Sequence, residues 1–183
     1  MAPAVFINPR VLAGSLIPSA VEEYHKEVSG YLIGRGRAGK LTILSAYPLL
    51  ADSRKPTSVA HGNLSAVGRV QGVMDTLHLS LVGGFHSHPD GPNRLSKSDL
   101  EFIREAMAER GQQRWLEVLL AVRKKDYQRP HEPGWDLERQ GQQLELQLRP
   151  DPWTAYLVTL TGHWVLPEGK PAPARLATRV LAK

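Results

Sequence analysis

The run Trp115-Leu116-Glu117-Val118-Leu119-Leu120-Ala121-Val122 constrains the fold more than any other stretch of this chain. It is almost wholly apolar and strand-like in residue type, so it belongs in the middle of a sheet. A chain of 183 residues is the size of one domain. At that length roughly 70% of the surface of the unfolded chain is buried on folding, and a core forms without staples.

Strand-like and helical segments interleave around that run. Val5–Ile7 reads as a short opening strand, and Val11–Tyr24 as a helix with Leu12, Leu16, Ile17, Ala20 and Val21 at helical spacing, weakened by Gly14 and Pro18. Glu27–Ile33 and Leu41–Leu50 read as a hairpin joined by a glycine-rich turn, Gly34–Gly39. Ala51–Asn63 is polar and reads as a loop; Leu64–Leu77 then has helical spacing, and Ser80–His88 is the next strand. Ser96–Arg110 is the best helix of the chain, opening with Ser-Lys-Ser-Asp, placing Leu100, Ile103 and Met107 on one face and stopping at Gly111. Beyond the central run come one or two strands over Gly134–Leu148 and a strand or hairpin over Ala155–Leu166. This alternation predicts one α/β (α+β) domain over residues 1–166, a mixed β-sheet flanked by helices. Residues 167–183, rich in Pro, Ala, Lys and Arg, are expected to form a tail that is mobile or docks on a partner.

Composition removes several functions. With no cysteine there is no disulfide, thiolate metal site or cysteine nucleophile, and any metal falls to His, Asp and Glu. The net charge of +5 raises the question of nucleic acid. The basic residues are scattered, however, and often sit beside acids, as in Arg104–Glu105 and Glu109–Arg110, which reads as a solvated surface. No apolar run approaches the roughly 20 residues of a membrane span. The first residues show no secretory signal, and a cytoplasmic setting is expected.

The chemistry concentrates between Gly83 and Asp99. His86 and His88, two apart at the end of a strand, project to the same face, where their imidazoles can converge on one ion. Pro89 turns the chain, a Gly-, Pro- and Asn-rich loop lets it double back, and Asp99 arrives in the first turn of the following helix. Two histidines, one carboxylate and an open position make the ligand set of a hydrolytic zinc site. Ser96-x-x-Asp99 alone reads equally well as a helix cap. His61 reads as a surface-loop residue, His25, His78, His131 and His163 as structural or exposed, and the four tryptophans as packing residues.

The string His86-Ser87-His88, seven residues, Ser96, two residues, Asp99 resembles the signature of the JAMM (MPN-plus) metalloproteases. Upstream, Glu27-Val28-Ser29-Gly30-Tyr31-Leu32-Ile33-Gly34 resembles the same family's glutamate context, and the order of elements is similar from Val5 to Leu148. The resemblance implies a sheet of the cytidine-deaminase-like type and one zinc ion on His86, His88 and Asp99. It further implies Glu27 as general acid and base and Ser96 as a donor to the oxyanion. Its implied substrate is a ubiquitin-like protein or its conjugates, cut after the C-terminal tail. Activating and conjugating enzymes of the same system would be further partners. The short form without lid insertions resembles prokaryotic members, some of which serve anti-phage conjugation systems. Ala51–Asn63 lies where the family carries a segment able to pair with an extended substrate tail.

Two other readings stay open. One keeps the hydrolase and changes the substrate, to a small adduct such as an amino acid on a sulfur-carrier protein. The other is a nucleic-acid-binding relative without catalysis, which shares the His-x-His-Pro and Ser-x-x-Asp pattern.

Overall fold

The computed structural model describes residues 4–22, 24–37, 39–49, 53–55, 58–60, 69, 72–74, 76–77 and 79–179. The opening strand β1 (Ala4–Ile7) buries Val5 and Ile7. Helical backbone follows in three pieces: α1 (Pro9–Val11), a π-helical stretch (Leu12–Leu16) and α2 (Ile17–Glu22). Asn8 caps the start by accepting from the Arg10 N–H at 2.9 Å, and Pro9 occupies the first helical position, where no N–H is required. Pro18 does not end the helix. The wide turn just ahead of it, closed by Ile17 N–H on Leu12 O, relaxes the carbonyl geometry that a proline ring cannot tolerate.

Strands β2 (Ser29–Arg37) and β3 (Lys40–Pro48) form the expected hairpin, but they run on through the glycines that had marked a turn. The reason is local. A β-bulge shifts the register between Ile33 and Gly34, and a Cβ on Gly34 would lie 2.5 Å from the Thr42 carbonyl oxygen. In the segment expected to be a loop, β4 (Ser53–Lys55) and β5 (Ser58–Ala60) pair antiparallel. Of the helix expected over Leu64–Leu77, residues 69, 72–74 and 76 are helical, Leu77 is in a turn, and residues 64–68, 70, 71 and 75 lie outside the described residues.

Next comes a strand–helix–strand unit: β6 (Ser80–Pro89), α3 (Lys97–Glu109) and β7 (Trp115–Asp126), with β6 and β7 paired in parallel. Antiparallel strands β8 (Gly134–Gln140), β9 (Gln143–Arg149) and β10 (Thr154–Val165) follow, then β11 (Ala172–Ala174) and β12 (Leu176–Ala177). The strand order is β12-β1-β3-β2-β6-β7-β10-β9-β8, with β11 on β10. Pairs β1–β12, β1–β3 and β6–β7 are parallel and the others antiparallel, so the sheet is mixed, as expected.

The central strand is the one the sequence singled out. Every residue of β7 from Trp115 to Val122 is buried, between β6 on one side and β10 on the other. One face of it, Leu116, Val118, Leu120 and Val122, shares a core with Val11, Leu12, Leu16, Ile17 and Ala20 of the first helical segment. On the opposite face Trp115 joins Tyr31, Val165 and the buried side of α3, Ile103, Ala106 and Met107.

Over residues 172–177 the structure corrects the expectation of a mobile tail, while residues 180–183 lie outside the described residues. Residues 172–174 pair with β10, and residues 176–177 pair in parallel with β1, so one short segment links an inner strand of the sheet to its first strand. Ala174 and Leu176 are fully buried, and their apolar burial outweighs a composition that suggests disorder. Pro173 fits because this pairing lies at a strand edge, where a missing N–H is tolerated.

Candidate metal centre

Alternation along β6 builds the centre. Phe85 enters the core that contains Val118 and Leu120, so His86 and His88 face the other way, in register with Leu119 and Ala121. Their rings lie 4.9 Å apart, and both histidines are buried. After Pro89 the chain turns through Asp90, at φ 49°, with Gly91 N–H donating to His88 O at 3.3 Å. A Cβ on Gly91 would sit 2.9 Å from the His88 Cβ, so the return of the loop over the histidine requires glycine.

The returning chain enters α3 through a capping box. Ser96 Oγ accepts from Asp99 N–H at 3.1 Å, and Asp99 Oδ2 accepts from Ser96 N–H at 2.6 Å. The cap therefore orients the carboxylate through Oδ2, the same oxygen that faces the two histidines. Asp99 Oδ2 stands 3.6 Å from His86 Nε2 and 3.5 Å from His88 Nε2. Two ligands on one tetrahedral zinc, each 2.0–2.2 Å from it, are separated by roughly 3.3–3.6 Å, which matches both spacings. All three ligand atoms lie within 4.8 Å of one another, and among the described residues this is the one such group of three. Among the described residues His86 Nε2 is a buried nitrogen without a hydrogen-bond partner, which fits a metal ligand. Two imidazoles and a carboxylate suit zinc and are shared with other first-row divalent ions.

Each histidine is held from behind. His86 Nδ1 lies 2.7 Å from Glu117 Oε1, whose other oxygen accepts from the Trp115 indole N–H at 2.7 Å. His88 Nδ1 lies 2.9 Å from the Pro92 carbonyl oxygen. The loop carrying Pro92 is itself tied down, since Asn93 Oδ1 accepts from Thr161 Oγ1 at 2.9 Å.

Glu27 precedes β2 and is 8% exposed, with Oε1 3.9 Å from His88 Nε2. Ser87 fixes this approach: its Oγ accepts from Val28 N–H at 2.9 Å, and its own N–H donates to Val28 O at 2.8 Å. Burial pushes the Glu27 carboxyl above its ordinary value, against the opposing pull of His88 and His86. Burial acts the same way on Asp99 but loses there to His86 and His88, which hold its carboxyl well below the usual range. For His86, burial disfavours the cation, yet Asp99 and Glu117 prevail and raise it to about 10 in the metal-free chain.

The structure thus brings together all five residues singled out in the sequence. His86, His88 and Asp99 converge, Glu27 borders them, and Ser96 caps the helix that carries Asp99, with its hydroxyl also 2.8 Å from Ser98 Oγ. Sequence reasoning missed Glu117, Ser87 and the Pro92 carbonyl. Glu117 left a signal, an acid inside an otherwise apolar strand, whereas the other two left none. His163 lies nearer the centre than expected: burial and the His86 charge lower its pKa, and Nε2 is 3.1 Å from Thr161 Oγ1. His61 and His78 lie outside the described residues.

A mixed sheet with a histidine pair at the end of a central strand, and an aspartate on the crossover helix close enough to share an ion with it, is the arrangement of a JAB-type domain. The family model described as prokaryotic homologs of the JAB domain matches residues 9–135, and the chain belongs to that family. Its fold is similar to the solution structure of protein DSY2949 from Desulfitobacterium hafniense. The TM-score is 0.60 at 14% identity, covering 96% of this chain and 92% of that one. No curated protein matches the sequence. Among the described residues, no helix is long and apolar enough to cross a membrane.

Proposed function

We propose that this chain is a zinc-dependent isopeptidase or peptidase that cuts after the C-terminal tail of a ubiquitin-like protein. The observation that carries the hydrolase reading is His86 Nε2, without a hydrogen-bond partner among the described residues, grouped with His88 and Asp99 and with the buried Glu27 carboxylate alongside. The substrate class comes from membership in the JAB family together with the motif, and a cytoplasmic setting belongs to the same proposal.

When bound on His86, His88 and Asp99, zinc supplies Lewis acidity for activating water and polarising a carbonyl. The chain's own residues do the rest. Glu27, its proton affinity raised by burial, takes a proton from the attacking water and returns it to the leaving amine as the C–N bond breaks. Ser96 Oγ accepts from the Asp99 N–H, and with Ser98 Oγ as the donor in their mutual contact its own hydroxyl proton donates to the carbonyl oxygen as charge develops there. Neither step needs a covalent enzyme intermediate, in keeping with a chain that has no cysteine.

The test pairs metal content with cleavage of a panel of ubiquitin-like fusions, in wild type and Glu27→Gln. The expected result is about one zinc per chain in both proteins, with kcat reduced by about 10²–10⁴ in the variant. A well-folded wild type that takes up no zinc would end the hydrolase reading. Zinc binding without cleavage of any fusion would end only the choice of substrate.

A further inference from the structure

We propose that Glu117 is a positioning residue for the metal centre, held in place by Trp115 and acting through His86. The inference rests on His86 being a metal ligand. It starts from an oddity of the central strand: Glu117 is 3% exposed, inside a run whose other members are all apolar. A buried carboxylate is costly unless both oxygens are hydrogen-bonded.

Both are. Trp115 Nε1 is a donor only, so it donates to Oε2 at 2.7 Å, and the carboxylate accepts there. His86 Nδ1 lies 2.7 Å from Oε1, an acceptor-only atom in the ionised acid, so Nδ1 carries its proton. Nε2 is then the nitrogen left to bind a metal, and it faces Asp99 Oδ2 at 3.6 Å. Trp115 is buried with α3 residues Ile103, Ala106 and Met107, so the indole is a fixed anchor for the carboxylate. The chain Trp115–Glu117–His86 sets both the tautomer and the ring orientation of one ligand from the interior of the sheet. Behind His88 the partner of Nδ1 among the described residues is the Pro92 carbonyl oxygen and not a carboxylate. Glu117 therefore governs metal affinity through His86 alone.

The experiment measures Zn²⁺ affinity by chelator competition, and the visible spectrum of the Co²⁺-substituted protein, for wild type, Glu117→Gln and Trp115→Phe. Glu117→Gln keeps the volume but offers one acceptor oxygen to two donors. The expected result is about 10–100-fold weaker Zn²⁺ binding and altered Co²⁺ d–d bands. Trp115→Phe, which removes the anchoring N–H and leaves the carboxylate, shifts affinity in the same direction by less. Wild-type affinity and an unchanged Co²⁺ spectrum in Glu117→Gln, with thermal stability lowered equally with and without metal, would make Glu117 merely structural and overturn the proposal. If Glu117→Gln does not fold, Trp115→Phe decides, with undiminished affinity overturning it. A wild type that binds neither ion would instead remove the metal reading on which it stands.

Discussion

His86 sits between two carboxylates, Asp99 at 3.6 Å and Glu117 at 2.7 Å, and this sandwich sets the behaviour of the metal-free protein. Its pKa is raised from 6.5 to about 10, so the protonated imidazole contributes stability that is complete below about 6.5. That contribution is lost as the pH rises through about 10. Asp99 has the opposite sign: held below its ordinary 3.8, it contributes stability above that value and loses it as the pH falls further. The two windows overlap between about pH 4 and 6.5, where the thermal midpoint of the metal-free chain is expected to be highest. Metal binding displaces the His86 proton, so Zn²⁺ affinity should rise about tenfold per pH unit between about pH 7 and 9. Chelator competition across that range, with calorimetry in buffers of different ionisation enthalpy, checks it. A flat affinity would show that His86 does not lose a proton to the ion. A second prediction concerns Glu27, whose raised carboxyl should place the acidic limb of kcat/KM above pH 4.5, with the limb vanishing in Glu27→Gln.

The α3 N-terminus does two tasks at once, because Ser96 caps the helix and thereby orients Asp99. Removing the hydroxyl in Ser96→Ala is expected to cost about 0.5–2 kcal/mol of stability in the metal-free protein, read from denaturant unfolding. Ser96→Thr should restore that stability, since threonine also caps. If the alanine variant loses cleavage without losing stability, Ser96 acts on substrate and not through the cap. Reading these elements from sequence succeeded where the signal was local. The spacing of His86 and His88, the capping box and the apolar run of β7 are each settled within a few residues. It failed at Gly34, where what matters is a carbonyl of the facing strand, and at Ala51–Asn63, where β4 and β5 pair within a polar stretch.

At the scale of the whole molecule, the segment 172–177 joins β10 to β1 and completes the core from the end of the chain. Leu176 is fully buried, so Leu176→Ala should destabilise the protein by about 2–5 kcal/mol, measured as a fall in the denaturant midpoint at constant slope. A change below about 0.5 kcal/mol, the level of an ordinary surface substitution, would mean that the segment does not hold this place in solution.

By itself the sequence determined that the sheet is mixed, that β7 lies at its centre, and that two histidines and an aspartate meet at a strand-to-helix junction. Period-two alternation and a first-turn cap are short-range geometry, and residue spacing alone expresses them. Only the tertiary structure decided that Glu27 reaches His88, that Ser87 ties Val28 to β6, that Glu117 stands behind His86, and that the last strands close the sheet. Each of these depends on the register between strands distant in sequence, and side-chain burial sets that register only once all the strands are in place.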